Sequence, residues 1–254
     1  MVIKRRIKTF QTKIASKFPI NERFHNIKNK VNTKLSSAHN LIVLIGQSNS
    51  ANSLFSKPYN NSKHLNYFNK KMYVLSNPVL GANGDRESIA PSIASKIKSK
   101  NPIIFLTNGW GGTSIYDWSH SKSALTNYVN CNLKELTTKH RLKYIIWIQG
   151  ESDNNSDVNY VKEFNIFREN LFKGINQKVY EQTKFIITQT SICNSERDIL
   201  LNQQQKKLTE KGKVFVTEVT DSLDINYRFD NCHFNKFGTE MIAKEIASVI
   251  NKNN

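Results

Sequence analysis

Hydrophobic positions over residues 41–254 form short, nearly continuous runs that alternate with longer segments of helical periodicity. The runs are rich in β-branched and aromatic residues, as is typical of strands buried on both faces. Six such runs lie at 41–46, 72–77, 103–109, 144–150, 184–190 and 213–219. The alternation predicts an α/β fold, a three-layer α/β/α sandwich around a central parallel sheet of about five strands.

The segments between the runs carry the helical patterns. The clearest lie at 89–100, 128–140, 160–175, 199–212 and 237–252. No internal repeat or linker divides residues 41–254, so we expect them to form a single domain that is large enough to hold an active site.

The first 40 residues differ in pattern and in charge. They hold ten Lys and Arg and one acidic residue, so they contribute +9 to the net charge of +17. Their apolar residues recur at spacings of three and four: Ile3, Ile7, Phe10, Ile14 and Phe18. This predicts a basic, helical arm over 1–40, which either binds an anionic surface or docks on the domain with a solvated basic face.

Composition narrows the class of protein. No apolar run approaches the roughly 20 residues that span a bilayer, which argues against an integral membrane protein. The basic N-terminus lacks the apolar region of a secretory signal. The three cysteines, Cys131, Cys193 and Cys232, form no C-x-x-C pair. Their odd number argues against a disulfide framework and favours a reducing compartment, so we expect a cytoplasmic protein, peripheral at the inner face of the membrane if the arm binds there.

Polar segments follow several predicted strands, where ligands bind in open parallel sheets. They read GQSNS at 46–50, NGWGGTS at 108–114 and QGESD at 149–153, and a further polar segment, DNCHFN, lies at 230–235. Because the carboxyl ends of parallel strands meet at one edge, we expect these segments to form one site.

A serine, a histidine and an aspartate in these segments suit nucleophilic catalysis. Ser48 is either a nucleophile, which needs a base within reach, or a helix-capping serine. His233 is the candidate base, and Asp230 three residues earlier could hold its tautomer; the alternative is a surface Asp–His pair. His120 is the one rival base. The other histidines lie in the arm or resemble surface residues: His25, His39, His64 and His140.

Two other segments allow several interpretations. The glycines at 109–113 suit an oxyanion, a phosphate or a tight turn, although the G-K-[ST] of a P-loop is missing. Gln149 could donate a hydrogen bond to an oxyanion. Glu151 and Asp153 could be a metal pair, a base or acids at a helix N-terminus. Without histidines or further carboxylates at useful spacing, we expect no metal.

Together the segments resemble the SGNH hydrolases, also called GDSL-like lipases and esterases, in their carbohydrate-esterase and sialate O-acetylesterase branch. The matching motifs are GQSN (46–49), GGTSIYDW (111–118), WIQGESD (147–153) and DNCH (230–233), and the segment 77–97 is also similar. The resemblance implies an SGNH/flavodoxin-like fold. It also implies that Ser48 is the nucleophile, His233 the general base and then acid, and Asp230 the residue that orients it.

The same resemblance implies an oxyanion hole. Its donors would be the backbone N–H of the nucleophile Ser48, the N–H of Gly111 or its neighbour Gly112, and a side chain from 149–151. We favour Gln149, because an ionised glutamate only accepts hydrogen bonds. Glu151 could instead help to orient the histidine, and Asn49 is a further accessory position.

The predicted function is removal of O-acetyl groups from a carbohydrate through an acetyl-serine intermediate, without a cofactor. If acetyl-CoA is the donor and a sugar hydroxyl the acceptor, the same site would serve an O-acetyltransferase acting on a capsular or other acidic polysaccharide. The rival is a non-catalytic protein that binds nucleic acid or a membrane surface through the arm. No nucleic-acid motif is present, so we do not expect nucleic acid as a partner.

Overall fold

The computed structural model describes residues 37–57 and 62–254, and the arm predicted over 1–40 lies almost entirely outside the described residues. Seven strands form one sheet in this described part. Their bounds are β1 Asn40–Gly46, β2 Leu65–Phe68, β3 Lys71–Val74, β4 Ile103–Gly109, β5 Arg141–Ile148, β6 Lys184–Thr188 and β7 Val214–Thr217.

The sheet has the order β3-β2-β4-β1-β5-β6-β7, and all neighbours are parallel except β3 against β2. The α/β class is therefore confirmed, with more strands than the five predicted. Strand β2 escaped prediction because Asn66 interrupts its apolar run. That buried asparagine is satisfied internally, since its Oδ1 accepts from the Leu80 N–H at 2.7 Å.

Eight helices of four or more residues pack on the sheet in the described ranges. They are α1 Ala90–Lys96, α2 Ile115–Ser119, α3 Ala124–Leu136, α4 Tyr160–Phe172, α5 Gln177–Gln182, α6 Ile199–Lys206, α7 Val219–Ser222 and α8 Lys236–Lys252. The five predicted helical patterns are confirmed as α1, α3, α4, α6 and α8. Helices α2, α5 and α7 have four to six residues, too few to show a helical period.

Two apolar cores cover the two faces of the sheet. In β1, Leu41, Val43 and Ile45 face one core, which α2, α3, α4 and α6 complete. Ile42 and Leu44 face the other core, which is built with α1 and α8. Burial on both faces explains why the strand sequences are apolar without alternation.

No helix among residues 37–57 and 62–254 has the length and apolar character needed to span a bilayer.

The structure corrects two expectations about reactive side chains. A disulfide joins Cys193 to Cys232, 39 residues apart, and leaves Cys131 free and exposed. The pairing arises from the tertiary fold, which brings the loop after β6 to the segment before α8, and sequence spacing did not reveal it. The cysteine count therefore no longer supports a reducing compartment.

The second correction concerns two histidines. His64 and His140 are buried, not surface residues.

Candidate active site

The site is built at the carboxyl end of the central strand. Gly46 has a φ of +134°, and a side chain there would place its Cβ 2.0 Å from the carbonyl oxygen of Ile148. Only glycine fits this position. The next residues turn sharply into a short 3₁₀ helix, Ser48–Ser50. The Gln47 N–H donates to the Ile148 carbonyl at 2.9 Å and ties this turn to β5.

Ser48 is 6% exposed and opens that turn. Neither its Oγ nor its backbone N–H has a hydrogen-bond partner within the described residues. The predicted bond from Ser48 to His233 is therefore not made in this structure. Nucleophile–base bonds are often long without substrate and tighten when it binds. An N–H without an acceptor is also what an oxyanion hole requires.

Asp230 and His233 form a direct pair. The ring Nδ1 of His233 lies 2.8 Å from the Asp230 carboxylate, and its backbone N–H donates to the other oxygen at 2.7 Å. Partial burial alone would raise the pKa of Asp230, but the hydrogen bonds from His233 outweigh it and the pKa is lowered. The ionised carboxylate therefore faces Nδ1, which leaves Nε2 for proton transfer.

Asn49 joins the serine segment to the histidine segment. Its amide donates to the Glu151 carboxylate at 2.5 Å and to the Cys232 carbonyl at 3.3 Å. Its Oδ1 accepts from the Phe234 N–H at 3.4 Å. The Cys232 carbonyl and the Phe234 N–H lie on either side of His233. Their bonds to Asn49 therefore fix the position of the histidine relative to the turn that carries Ser48.

Gly111 lies beside the candidate nucleophile. A Cβ built on Gly111 would be 3.5 Å from the Ser48 Cβ and 3.7 Å from the Asn83 amide nitrogen. The Gly111 N–H donates to Asn83 Oδ1 at 3.0 Å. A Cβ on Gly112 would meet no atom within 4 Å. Of the two glycines left open by the sequence, Gly111 is therefore the one next to Ser48.

Asn83 is the site residue that the sequence argument missed. It precedes α1 in the GANGD stretch of the segment 77–97, which was noted only as similar to a family segment. The signal available in the sequence was the side-chain amide of Asn83 between two small residues, Ala82 and Gly84. Its position beside Gly111 depends on a bond from the Asn83 N–H to the Gly109 carbonyl, at 2.9 Å, which no local pattern shows.

Gln149, the predicted oxyanion donor, makes internal hydrogen bonds in this structure. It is fully buried, and its Nε2 donates to Asp153 at 2.6 Å and to the Thr113 carbonyl at 3.0 Å. The Tyr160 hydroxyl donates to its Oε1 at 2.8 Å. Both amide protons thus have acceptors inside the protein, and donation to an oxyanion would require one of these bonds to break.

Glu151 is buried beneath the site rather than bonded to the histidine. Burial raises its pKa to about 7, although the hydrogen bond from Asn49 and the attraction of Arg228 oppose this shift. Its Oε2 has no partner among the described residues. The buried Arg228 donates to the Cys232 carbonyl at 2.6 Å. Arg228 and Glu151 therefore support the segment that carries His233 from the interior of the protein.

The remaining candidates accept hydrogen bonds from backbone groups in this structure. The Asp153 carboxylate accepts from the Ile115 N–H at 2.7 Å, at the start of α2. Within the described ranges no group of three or more His, Cys, Asp or Glu side chains has the arrangement of a metal site. His120, the rival base, ends α2, and its Nδ1 accepts from the Lys122 N–H at 3.2 Å.

Comparison with solved structures supports the fold. A protein from Arabidopsis thaliana is 16% identical, with a TM-score of 0.69 over 85% of this chain and 99% of its own. A protein from Agrobacterium tumefaciens is 13% identical, with a TM-score of 0.51 over 85% of this chain and 100% of its own. At these identities the likeness concerns the fold alone. A search of curated protein sequences found no significant match.

A sequence profile gives the family. The profile described as carbohydrate esterase, sialic acid-specific acetylesterase matches residues 38–252. The match begins two residues before β1 and ends at the last residue of α8, so it covers the whole sheet and the site described above. The chain therefore belongs to the carbohydrate esterase family of sialic acid-specific acetylesterases, enzymes that act on acetyl esters.

Proposed function

We propose that the protein is a serine-dependent O-acetylesterase of carbohydrates. Ser48 Oγ attacks the acetyl carbonyl while His233 Nε2 takes its proton. Collapse of the tetrahedral intermediate transfers that proton to the sugar oxygen and leaves acetyl-Ser48. His233 then takes a proton from water, the hydroxide attacks the acetyl carbon, and acetate leaves as the proton returns to Ser48.

One observation carries this proposal: the Asp230–His233 pair is held against the Ser48 turn by Asn49. The pair supplies an oriented base, and the turn supplies a buried hydroxyl without a competing hydrogen bond among the described residues. These are the two requirements for activating a serine, which is a weak nucleophile at neutral pH.

Three donors can stabilise the oxyanion. They are the backbone N–H groups of Ser48 and Gly111 and the side-chain amide of Asn83, because Gly111 lies beside Ser48 and the Asn83 amide is next to Gly111. When the acetyl oxygen enters, it replaces Asn83 Oδ1 as the acceptor for the Gly111 N–H, and Asn83 Nδ2 becomes a third donor. Donors aimed at developing charge are often the largest contribution to such catalysis.

An acidic acetylated sugar fits the charge of the protein. Residues 41–254 hold 27 Lys and Arg against 19 Asp and Glu, an excess that attracts anionic substrates. The family description names sialic acid, which carries a carboxylate. We therefore infer that the substrate is an O-acetylated sugar acid of this kind.

The test is acetate release from O-acetylated N-acetylneuraminic acid. Ser48→Ala should lower kcat/KM by about 10⁴-fold or more, by analogy with other serine hydrolases. Ser50→Ala is the matched control, because the Ser50 hydroxyl donates to the Gln47 carbonyl and is not used in the reaction. Equal activity of Ser48→Ala and wild type would overturn the proposal. Acetyl transfer from acetyl-CoA to a sugar, without hydrolysis, would replace it by the transferase alternative.

A further inference from the structure

Two aromatic rings extend outward from the catalytic histidine. The Phe229 ring stacks on the His233 ring, with centroids 5.9 Å apart and planes at 26°. Phe55 packs on Phe229 at 4.6 Å and is 43% exposed. The acetyl-transfer mechanism uses neither phenylalanine. A half-buried ring on the histidine and an exposed ring beyond it are unexplained by packing alone.

Arg86 covers both rings. Its guanidinium carbon lies 4.7 Å from the Phe229 centroid and 5.0 Å from the Phe55 centroid. The Arg86 N–H donates to the Asn52 carbonyl at 3.0 Å, which anchors its backbone to the segment that follows the serine turn. The Phe229 ring therefore contacts both the guanidinium and the ring of the catalytic histidine.

The exposed guanidinium forms no ion pair within the described residues. Two nearby carboxylates are used elsewhere: Glu87 accepts from the Ser56 N–H, and Asp230 accepts from His233. A guanidinium held over ring faces leaves its N–H groups free in the plane, and a carboxylate can accept two of these hydrogen bonds at once.

We propose that Arg86 binds the carboxylate of the acidic sugar, with Phe55 and Phe229 holding the guanidinium in place. The inference rests on the proposed function, because it takes the acetyl ester to lie at Ser48. It makes Arg86 a determinant of specificity: an O-acetylated sugar acid is favoured over the same sugar without the acid group.

The experiment compares two substrates that differ only in the acid group. One is O-acetylated N-acetylneuraminic acid, and the other carries a carboxamide in place of the carboxylate. Wild type should prefer the acid in kcat/KM by about 10- to 100-fold, the effect expected for a charge-assisted bidentate bond. Arg86→Met keeps an unbranched chain over the rings and should abolish that preference, with the carboxamide rate changed by less than about threefold.

Two controls separate recognition from packing. Cleavage of p-nitrophenyl acetate, which has no carboxylate, should be unchanged in Arg86→Met. Arg141→Met removes an exposed arginine at the opposite end of β5 and should leave the preference intact. Equal losses on the acid, the carboxamide and p-nitrophenyl acetate would show that Arg86 only packs on the rings, and would overturn the proposal. So would a wild type that does not distinguish the first two substrates.

A binding measurement distinguishes this inference from the proposed function. Calorimetry with deacetylated N-acetylneuraminate should show binding to wild type that weakens about 10-fold or more in Arg86→Met. If this holds while every acetyl ester stays intact, the carboxylate site stands and the proposed esterase function fails. If acetyl esters are cleaved but the variant binds the sugar acid as well as wild type, the carboxylate site fails alone.

Discussion

Some side chains in this site take part in the proposed reaction, and others hold those side chains in position. Ser48 and His233 carry out the proposed reaction, whereas Asn49 bonds on either side of the histidine and to the buried Glu151. The local motifs point to Ser48, Asp230 and His233, because Ser48 follows a predicted strand and the other two lie in a polar segment before the last helix. They did not predict Asn83 beside Gly111, because that contact joins segments 28 residues apart.

The Asn83 amide gives a prediction about the oxyanion. Asn83→Ala should lower kcat by about 10²- to 10³-fold with little change in KM, because the lost bond is made mainly in the transition state. Steady-state kinetics on p-nitrophenyl acetate measures both constants, and the exposed Asn127→Ala serves as the control. Full kcat in Asn83→Ala, with a large loss in a folded Gln149→Met, would instead support the original prediction that Gln149 is the donor.

Glu151 gives a prediction about pH and stability. Its pKa is about 7 in the folded protein against an ordinary value of 4.5, so the unfolded chain loses this proton first as pH rises. The free energy of unfolding should therefore fall between about pH 4.5 and 7, by at most about 3 kcal/mol. Glu151→Gln cannot ionise and should lack this part of the slope. Urea unfolding at pH 4.5 and 8 measures it, and parallel curves for the two proteins would refute the assignment.

Secondary-structure elements were predictable where they are long or strongly patterned. The apolar runs located β1, β4, β5, β6 and β7, and the helical period located the five longer predicted helices. Short elements carry too few residues for a period. The segment 72–77 was expected to be a further parallel strand, but β3 pairs antiparallel to β2 in a hairpin at the sheet edge. Strand direction depends on pairing, which the local pattern does not contain.

The disulfide joins the segment that carries His233 to the loop after β6 and should stabilise the fold. It closes a separation of 39 residues between the loop after β6 and the histidine segment. Replacing both cysteines, Cys193→Ser with Cys232→Ser, should lower the free energy of unfolding by about 2–4 kcal/mol, because the unfolded chain gains freedom. Chemical denaturation measures the loss, and Cys131→Ser is the control for removing a thiol. An unchanged unfolding midpoint in the double variant would contradict the prediction.

The charge of the whole molecule is divided unequally between the basic arm and the domain. The family match begins at residue 38 and β1 at Asn40, so the fold and the site are accounted for without the arm. More than half of the net charge of +17 comes from the arm. The helix in the arm and the binding of the arm to an anionic surface stay predictions.

Removing residues 1–36 tests the role of the arm. We expect the shortened chain to keep its fold and its activity on p-nitrophenyl acetate, because the described sheet begins after the deletion. Binding to vesicles that contain an anionic lipid should weaken strongly, and binding of the full chain should fall with salt. Sedimentation with anionic and neutral vesicles gives the comparison. Loss of folding in the shortened chain would instead make the arm a structural part of the domain.

The proposed mechanism requires Ser48 to carry the acetyl group during the reaction. The direct measurement is the intact mass of the protein, quenched at short times after mixing with p-nitrophenyl acetate, for wild type and Ser48→Ala. We expect an increase of about 42 Da, one acetyl group, that forms and decays on wild type, maps to Ser48 and is absent from the variant. Turnover of the ester by wild type and Ser48→Ala at equal rates, with no acetyl group on Ser48, would contradict it.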